Sequence, residues 1–445
     1  MSGKTNQASI PGSKALEMIE RDKKVISPSY TRLYPFVMDH GKGSEVWDVD
    51  GNRYIDFAAG IAVNSTGHCH PRISEAIKKQ ADKFLHMSGT DFFNVEQIEL
   101  AEKLVDIAPM RGPNTVYFTN SGAESVEAAI KLARYSTERS HLIAFYGAFH
   151  GRTMGALSLT ASKQLQRKEF APFLPEISHV PFPNPFRCPH HRGSDCHNDC
   201  ICVNYIEEMV FAKKVAPEHV AAIIVEPIQG EGGYIFPPDS FLPELRALCD
   251  KYGILLIADE IQTGIGRTGK WFAVEHWGVE PDIVCVAKGL ASGMPLGAII
   301  ARSSIMNWVP GSHASTFGGN PISCVAALAT LELIEEKYMG NASRMGEVML
   351  NGLRDIQSRH PTIVRVEGMG LMVAAEVALD RETMAPVPGF RDDVVQRAFS
   401  KGLLILGCGS TSIRFIPPLC IDANLVEEGL AIFEDALTDA EEALE

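Results

Sequence analysis

From about Val95 onward the chain alternates between two spacings of apolar residues, and that alternation predicts the fold. Segments such as IELAEKLVDIA repeat apolar positions every three or four residues, the period of a helix with one covered face. Between such segments lie short β-rich runs: TVYFTN, LIAFYG, VAAIIVEPI, ILLIADEI, DIVCVAKG and LGAIIAR. The pattern predicts an α/β architecture with a mainly parallel sheet covered by helices on both faces. Upstream, EVWDVDGNRYIDF alternates polar and apolar residues on either side of Asp-Gly, which predicts a hairpin. After Pro321 the long amphipathic stretches ISCVAALATLELIEEKY and RMGEVMLNGLRDIQSRH lead through a mixed region to the helical tail ANLVEEGLAIFEDALTDAEEAL. These predict a second, smaller lobe joined by a helix. Three units are expected: 1–70 as an arm plus part of the small lobe, 71–330 as the large lobe, and 331–445 as the rest of the small lobe. The first twenty or so residues, with scattered Ser, Gly and Lys, read as a flexible arm.

With 445 residues, 45% of them hydrophobic, the chain can bury one large core and a smaller second one. A net charge of -14 and a pI near 5.5 argue against nucleic acid and acidic membrane surfaces as partners, since both need a basic footprint. The first thirty residues lack the apolar core of a signal peptide, and no later stretch is long and apolar enough to span a bilayer. A soluble, cytoplasmic protein is expected. Six of the ten cysteines (Cys69, Cys249, Cys285, Cys324, Cys408 and Cys420) are scattered singly, as reduced intracellular thiols are, and suggest no disulfide framework.

Three places carry candidate chemistry. Lys288 ends the apolar run DIVCVA and is followed by Gly289, Leu290, Ala291, Ser292 and Gly293. A lysine there has room for a bulky partner, and burial favours the neutral amine that condenses with carbonyls. A lysine snorkelling to solvent at a strand end fits the same pattern. Asp259, in ILLIADEIQTG, follows five apolar residues, and a buried acid needs a cationic partner such as a pyridinium nitrogen. A turn-capping aspartate is the plainer alternative. In TVYFTNSGAES a strand gives way to Ser121-Gly122-Ala123 and then a helix, a joint whose free amides suit a phosphate but which also occurs without any ligand. Gly264-Ile265-Gly266-Arg267-Thr268-Gly269-Lys270 imitates nucleotide-binding motifs. Trp271 stands where a P-loop needs Ser or Thr, and no strong helix follows, so a nucleotide site is rejected.

Together the segments IDFAAGIAVNSTGHCHP, FTNSGAESVEAAIKLAR, GAFHGRTMGALSLT, VEPIQGEGG, LLIADEIQTGIGRTGKW, PDIVCVAKGLASGMPLGA and STFGGNP resemble the class III (ornithine and 4-aminobutyrate) aminotransferases, in that family's order and over nearly the whole chain from Tyr34. The resemblance implies a fold-type I enzyme using pyridoxal 5'-phosphate, with a seven-stranded, mainly parallel sheet in its cofactor-binding large domain and a smaller α/β domain. It implies that Lys288 carries the cofactor as a Schiff base and shuttles the proton, and that Asp259 binds the pyridine nitrogen. Ser121, Gly122 and Ala123 fall at the phosphate, Phe149 over the ring with His150 following, Gln262 at the phenolic oxygen and Glu226 nearby as an accessory acid. Thr316 matches the residue that reaches the neighbouring subunit's phosphate, which implies a homodimer or a dimer of dimers. For substrate, Arg414 matches the arginine for the α-carboxylate, Glu231 the glutamate that masks it when an ω-amino donor is bound, Arg152 the distal-carboxylate arginine, and Ile61 a pocket wall. The implied reaction is amino transfer from an ω-amino acid, 4-aminobutyrate first, to 2-oxoglutarate. Relatives resembling this chain include amino-acid racemases, so racemisation stays open beside acetylornithine, ornithine and lysine transamination.

One segment departs from the shared pattern. NPFRCPHHRGSDCHNDCICVNY gathers Cys188, Cys196, Cys200 and Cys202 with His190, His191 and His197. The intervals lack the usual Cys-x-x-Cys pairs, so free or paired thiols in a surface loop are expected rather than a metal site.

Overall fold

The computed structural model describes residues 10–187 and 201–444, and the cysteine- and histidine-rich run from Cys188 to Cys200 lies outside the described residues. The predicted hairpin is present. Strand β1 (Met38–Lys42) pairs with β2 (Glu45–Asp48), which pairs with β3 (Arg53–Asp56), both antiparallel. Ahead of them the expected flexible arm is instead partly a helix, Ser13–Val25. Its first amides, of Lys14 and Ala15, donate to the Asp50 carboxylate at 3.1 and 2.9 Å, so a side chain in the hairpin turn caps it.

The central sheet contains β4 (Asn114–Thr119), β5 (His141–Phe145), β6 (Ile177–Val180), β7 (Val220–Val225), β8 (Leu255–Asp259), β9 (Ile283–Val286) and β10 (Gly297–Arg302), in the order β4-β10-β9-β8-β7-β5-β6. Strands β5 to β9 run parallel, and β10 is antiparallel to both β4 and β9. Strand β4 therefore points the same way as the parallel five. The six apolar runs of the sequence are six of these seven strands. The seventh, β6, lies at the sheet edge and buries alternate residues only, so its sequence ISHV shows no apolar run.

Beyond the sheet, the helix Pro321–Leu333 leads to the long helix Met339–Arg359. A second sheet follows, wholly antiparallel, in the order β11 (Ile363–Met369), β12 (Met372–Val377), β15 (Ser412–Phe415) and β14 (Leu406–Cys408). The short β13 (Leu403–Leu404) returns to lie parallel to β3, which joins the amino-terminal hairpin to the carboxyl-terminal part of the chain. Helix Ala423–Glu442 closes the molecule. The rejected glycine-rich loop serves as a tie. Arg267, fully buried, donates to the carbonyls of Leu371 at 3.0 Å and Pro417 at 2.6 Å, and so fastens the loop after β8 to the second sheet.

Candidate active site

In a parallel sheet the strand ends that share a direction open on one edge, and ligand sites form there. Here the carboxyl ends of β4, β5, β7, β8 and β9 deliver Gly122 and Ala123, Phe149 and His150, Glu226, Asp259 and Lys288 to one cavity of about 280 Å³, which Arg152, Glu231, Ile261 and Gln262 also line. Its size is near the lower end of small-molecule sites, roughly 300 to 1,000 Å³.

Lys288 opens a short 3-10 turn after β9, with φ at 41°. A non-glycine residue in that region is strained, and such strain collects where surrounding structure fixes a functional side chain. The side chain lines the cavity, where it keeps some accessible surface, and protein surrounds it on its other sides. Burial is the main cause that pushes its amine from the ordinary 10.5 down to about 8; Arg414 adds to the fall, while Asp259, Glu226 and Glu231 oppose it. Near neutral pH a useful fraction is thus the free amine.

Asp259 is buried at the end of β8. Its Oδ2 accepts from His150 Nδ1 at 2.7 Å and its Oδ1 from the amide of Ile261 at 3.1 Å. Because a carboxylate only accepts, the His150 proton sits on Nδ1. His150 Nε2 is buried with no hydrogen-bond partner among the described residues. Glu226 accepts from the amides of Phe149 and Gly230, both at 2.9 Å. Burial, with a contribution from Asp259, still raises its carboxyl to about 7, against the pull of His150. It can therefore hold or give a proton at neutral pH.

The helix Gly122–Thr137 points its first turn at the cavity. Ser121 caps it by accepting from the amide of Glu124 at 3.3 Å, which leaves the amides of Gly122 and Ala123 without intrahelical acceptors beside the cavity. A Cβ at 122 would come within 2.9 Å of the Ile261 side chain, which would have to shift to admit it.

Farther out, Glu231 Oε2 lies 3.4 Å from Arg414 on β15, and Oε1 accepts from Lys163 at 2.6 Å. Gln262 accepts from the Tyr234 hydroxyl at 2.7 Å. The Arg152 guanidinium stands 5.6 Å from the centre of the Phe149 ring. Of the expected residues, Ser121, Arg414, Thr316 and Ile61 do not line this cavity. Thr316 is exposed in the loop between β10 and the helix Pro321–Leu333. Ile61 is also exposed, within the left-handed run Ala59–Ala62, in a segment that packs on the Lys288 turn; Thr66 there donates to Ser292 at 3.0 Å. Sequence reasoning missed Lys163 and Tyr234, whose partners lie 68 and 28 residues away. No local spacing marks such contacts. Among the described residues no cluster suits a metal ion and no helix is long and apolar enough to cross a membrane.

The buried cavity fits pyridoxal 5'-phosphate: a depressed amine for its carbonyl, a buried carboxylate for its ring nitrogen and helix amides for its phosphate. The class-III aminotransferase family model matches residues 25–437. An alanine/serine racemase of Pyrococcus horikoshii is 41% identical over 96% of this chain and 91% of its own. An acetylornithine aminotransferase of Methanopyrus kandleri is 43% identical over 92% of this chain and 96% of its own. The solved ω-transaminase of Pseudomonas jessenii in complex with PMP superposes with a TM-score of 0.89 at 29% identity, covering 95% of this chain and 98% of that one.

A titration tests the amine. In cofactor-free protein, the carbon-13 NMR signal of dimethylated Lys288 should titrate near pH 8; a midpoint near 10.5 would contradict its burial. The folded protein binds this proton more weakly than the unfolded chain. The penalty is therefore complete below pH 8 and relieved as pH rises from 8 toward 10.5. Lys288→Met should remove that rise in stability, read by urea unfolding at each pH.

Proposed function

The chain belongs to the class III aminotransferase family, whose members depend on pyridoxal 5'-phosphate, and we propose that it moves the amino group of an ω-amino acid, 4-aminobutyrate first, to 2-oxoglutarate. The observation that carries this reading is the Glu231–Arg414 pair, with Glu231 at the cavity wall and Arg414 behind it. Arg414 is a buried cation, and an arginine fork suits a carboxylate. A donor that lacks an α-carboxylate would leave Arg414 without a partner, and Glu231 supplies one. An oxo acid brings its own carboxylate and takes the place of Glu231. Arg152, at the cavity mouth beside Phe149, is the cation for a distal carboxylate.

When bound, pyridoxal 5'-phosphate supplies a carbonyl carbon for the amino group and a protonated ring that accepts the electron pair released at the substrate carbon. Lys288 takes the proton from the carbon that bears the amino group and returns it in the next step, a task its depressed pKa suits. Asp259, fixed by His150, keeps the ring nitrogen protonated. Gly122 and Ala123 hold the phosphate by their amides, with Ser121 fixing that helix end. Phe149 would face the ring and Gln262 would serve the phenolic oxygen, and Glu226 is an accessory acid poised near neutrality.

A specific relative favours a second reading. The 41% identical racemase supports amino-acid racemisation, in which Lys288 or another group returns the proton to the same carbon from the other face. One incubation separates the two. The cofactor-loaded protein should form glutamate from 4-aminobutyrate and 2-oxoglutarate, and Lys288→Ala should lower that rate at least about 10²-fold. D-leucine from L-leucine alone, without glutamate in the first mixture, would instead establish a racemase.

We further propose a homodimer in which Thr316 serves the partner's phosphate. Leu85, Phe92, Phe93, Val95 and Phe317 are exposed around Thr316, on segments tied together by Asn320, which donates to the Leu85 carbonyl at 3.2 Å, and by His86 against Phe317 at 4.8 Å. A patch of this kind on a water-facing surface signals association. Sedimentation should give a dimer, and Phe93→Asp should shift it toward monomer with loss of turnover; a monomeric, active protein would contradict the proposal.

A further inference from the structure

The Glu231 carboxylate lies between two cations of unequal standing. Lys163 follows the helix Met154–Leu159 and leaves 38% of its side chain in solvent, whereas Arg414 leaves 7%. The contact to Lys163, at 2.6 Å, has the length of a charge-assisted hydrogen bond; the contact to Arg414, at 3.4 Å, exceeds the roughly 2.7–2.9 Å usual for one. Arg414 Nε is buried without a partner among the described residues. Glu231 thus leans toward the lysine and only partly satisfies the buried arginine. Its backbone is held as well, since the Glu231 carbonyl accepts from the Gly409 amide at 2.8 Å, so a rearrangement here falls to the side chain. Arg414 does not line the cavity itself and is reached past Glu231.

We propose that Lys163 is a positioning residue that holds Glu231 off full pairing with Arg414 and so sets how readily Arg414 accepts an α-carboxylate. This rests on the reading of Glu231 and Arg414 given above. The physical reason is the cost of an unpaired charge. When an incoming carboxylate takes Arg414, Glu231 must leave it, and a partly buried carboxylate with no cation is expensive. Lys163 is already in place, so the displaced side chain keeps one partner throughout. Without Lys163, Glu231 closes on Arg414 and every α-carboxylate must break that pair. A donor without an α-carboxylate never competes for Arg414 and gains nothing from Lys163. Lys163 therefore biases the site toward its oxo-acid half-reaction.

Glutarate, a dicarboxylate with neither amino nor oxo group, isolates binding from turnover. Calorimetric titration of cofactor-loaded protein should show Lys163→Met weakening glutarate about threefold to tenfold, the scale of a half-exposed ion pair. The KM for 2-oxoglutarate should rise by the same factor, while kcat and the KM of the ω-amino donor stay within about twofold. Lys163→Arg should restore both, and Lys163→Met should have no further effect in a Glu231→Gln background. Unchanged glutarate affinity in Lys163→Met, with binding still lost in Arg414→Gln, overturns the role of Lys163 and leaves the site reading intact. Retained binding in Arg414→Gln overturns the site reading and this proposal together. A fall in kcat that Lys163→Arg fails to rescue marks a merely structural lysine and also overturns it.

Discussion

Keeping one lysine amine away from water is the constraint on which this molecule's chemistry depends. An ammonium in a protein interior is costly, and the cost is relieved by losing the proton. Lys288 is brought to that point by the end of β9, by a strained turn and by an enclosing wall, with Arg414 adding to the push. The acids around it limit the effect. Asp259, Glu226 and Glu231 stabilise the charged form, so the amine stops at about 8 and can both take and give a proton. Removing one of the acids would lower the amine further, and removing Arg414 would raise it.

The two sheets divide the work. The large sheet sends several strand ends to one edge, which brings the amine, the Asp259–His150 pair and the helix start together. The antiparallel sheet contributes Arg414 from β15, and Glu231 connects the two. Arg267, buried and spent on backbone carbonyls, holds the loop after β8 to that second sheet, so the relation between them rests on packing and on a tie with no freedom to titrate near neutral pH. The proposed seat of substrate choice is the Lys163–Glu231–Arg414 series, apart from the strand ends that carry Lys288 and Asp259.

What the sequence made legible follows from the same physics. Strands β5, β7, β8, β9 and β10, buried on both faces, write continuous apolar runs, and β4, a half-buried edge strand, could still be read from TVYFTN; β6, at the other edge, buries alternate residues and writes almost nothing. Helix Ser13–Val25 was hidden because its cap, Asp50, comes from a distant turn and only Ala15 in it is buried. Lys288, Asp259 and the Ser121–Ala123 joint were each ambiguous by themselves, since strand-end lysines, turn aspartates and glycine joints are common. They became a coherent set through the family resemblance, and the fold brings them to one cavity. Lys163 and Tyr234 left no signal because their partners are set by tertiary contact alone. Thr316 and Ile61 lie outside the cavity of the single chain.

The most direct measurement is chemical and locates the cofactor on the chain. Borohydride reduction of the loaded protein fixes pyridoxal phosphate to whichever lysine carries it, and peptide mass mapping then reads the position. The account predicts one modified peptide, containing Lys288, and none in Lys288→Ala. Stoichiometric label on another lysine, with Lys288 unmodified, would contradict it.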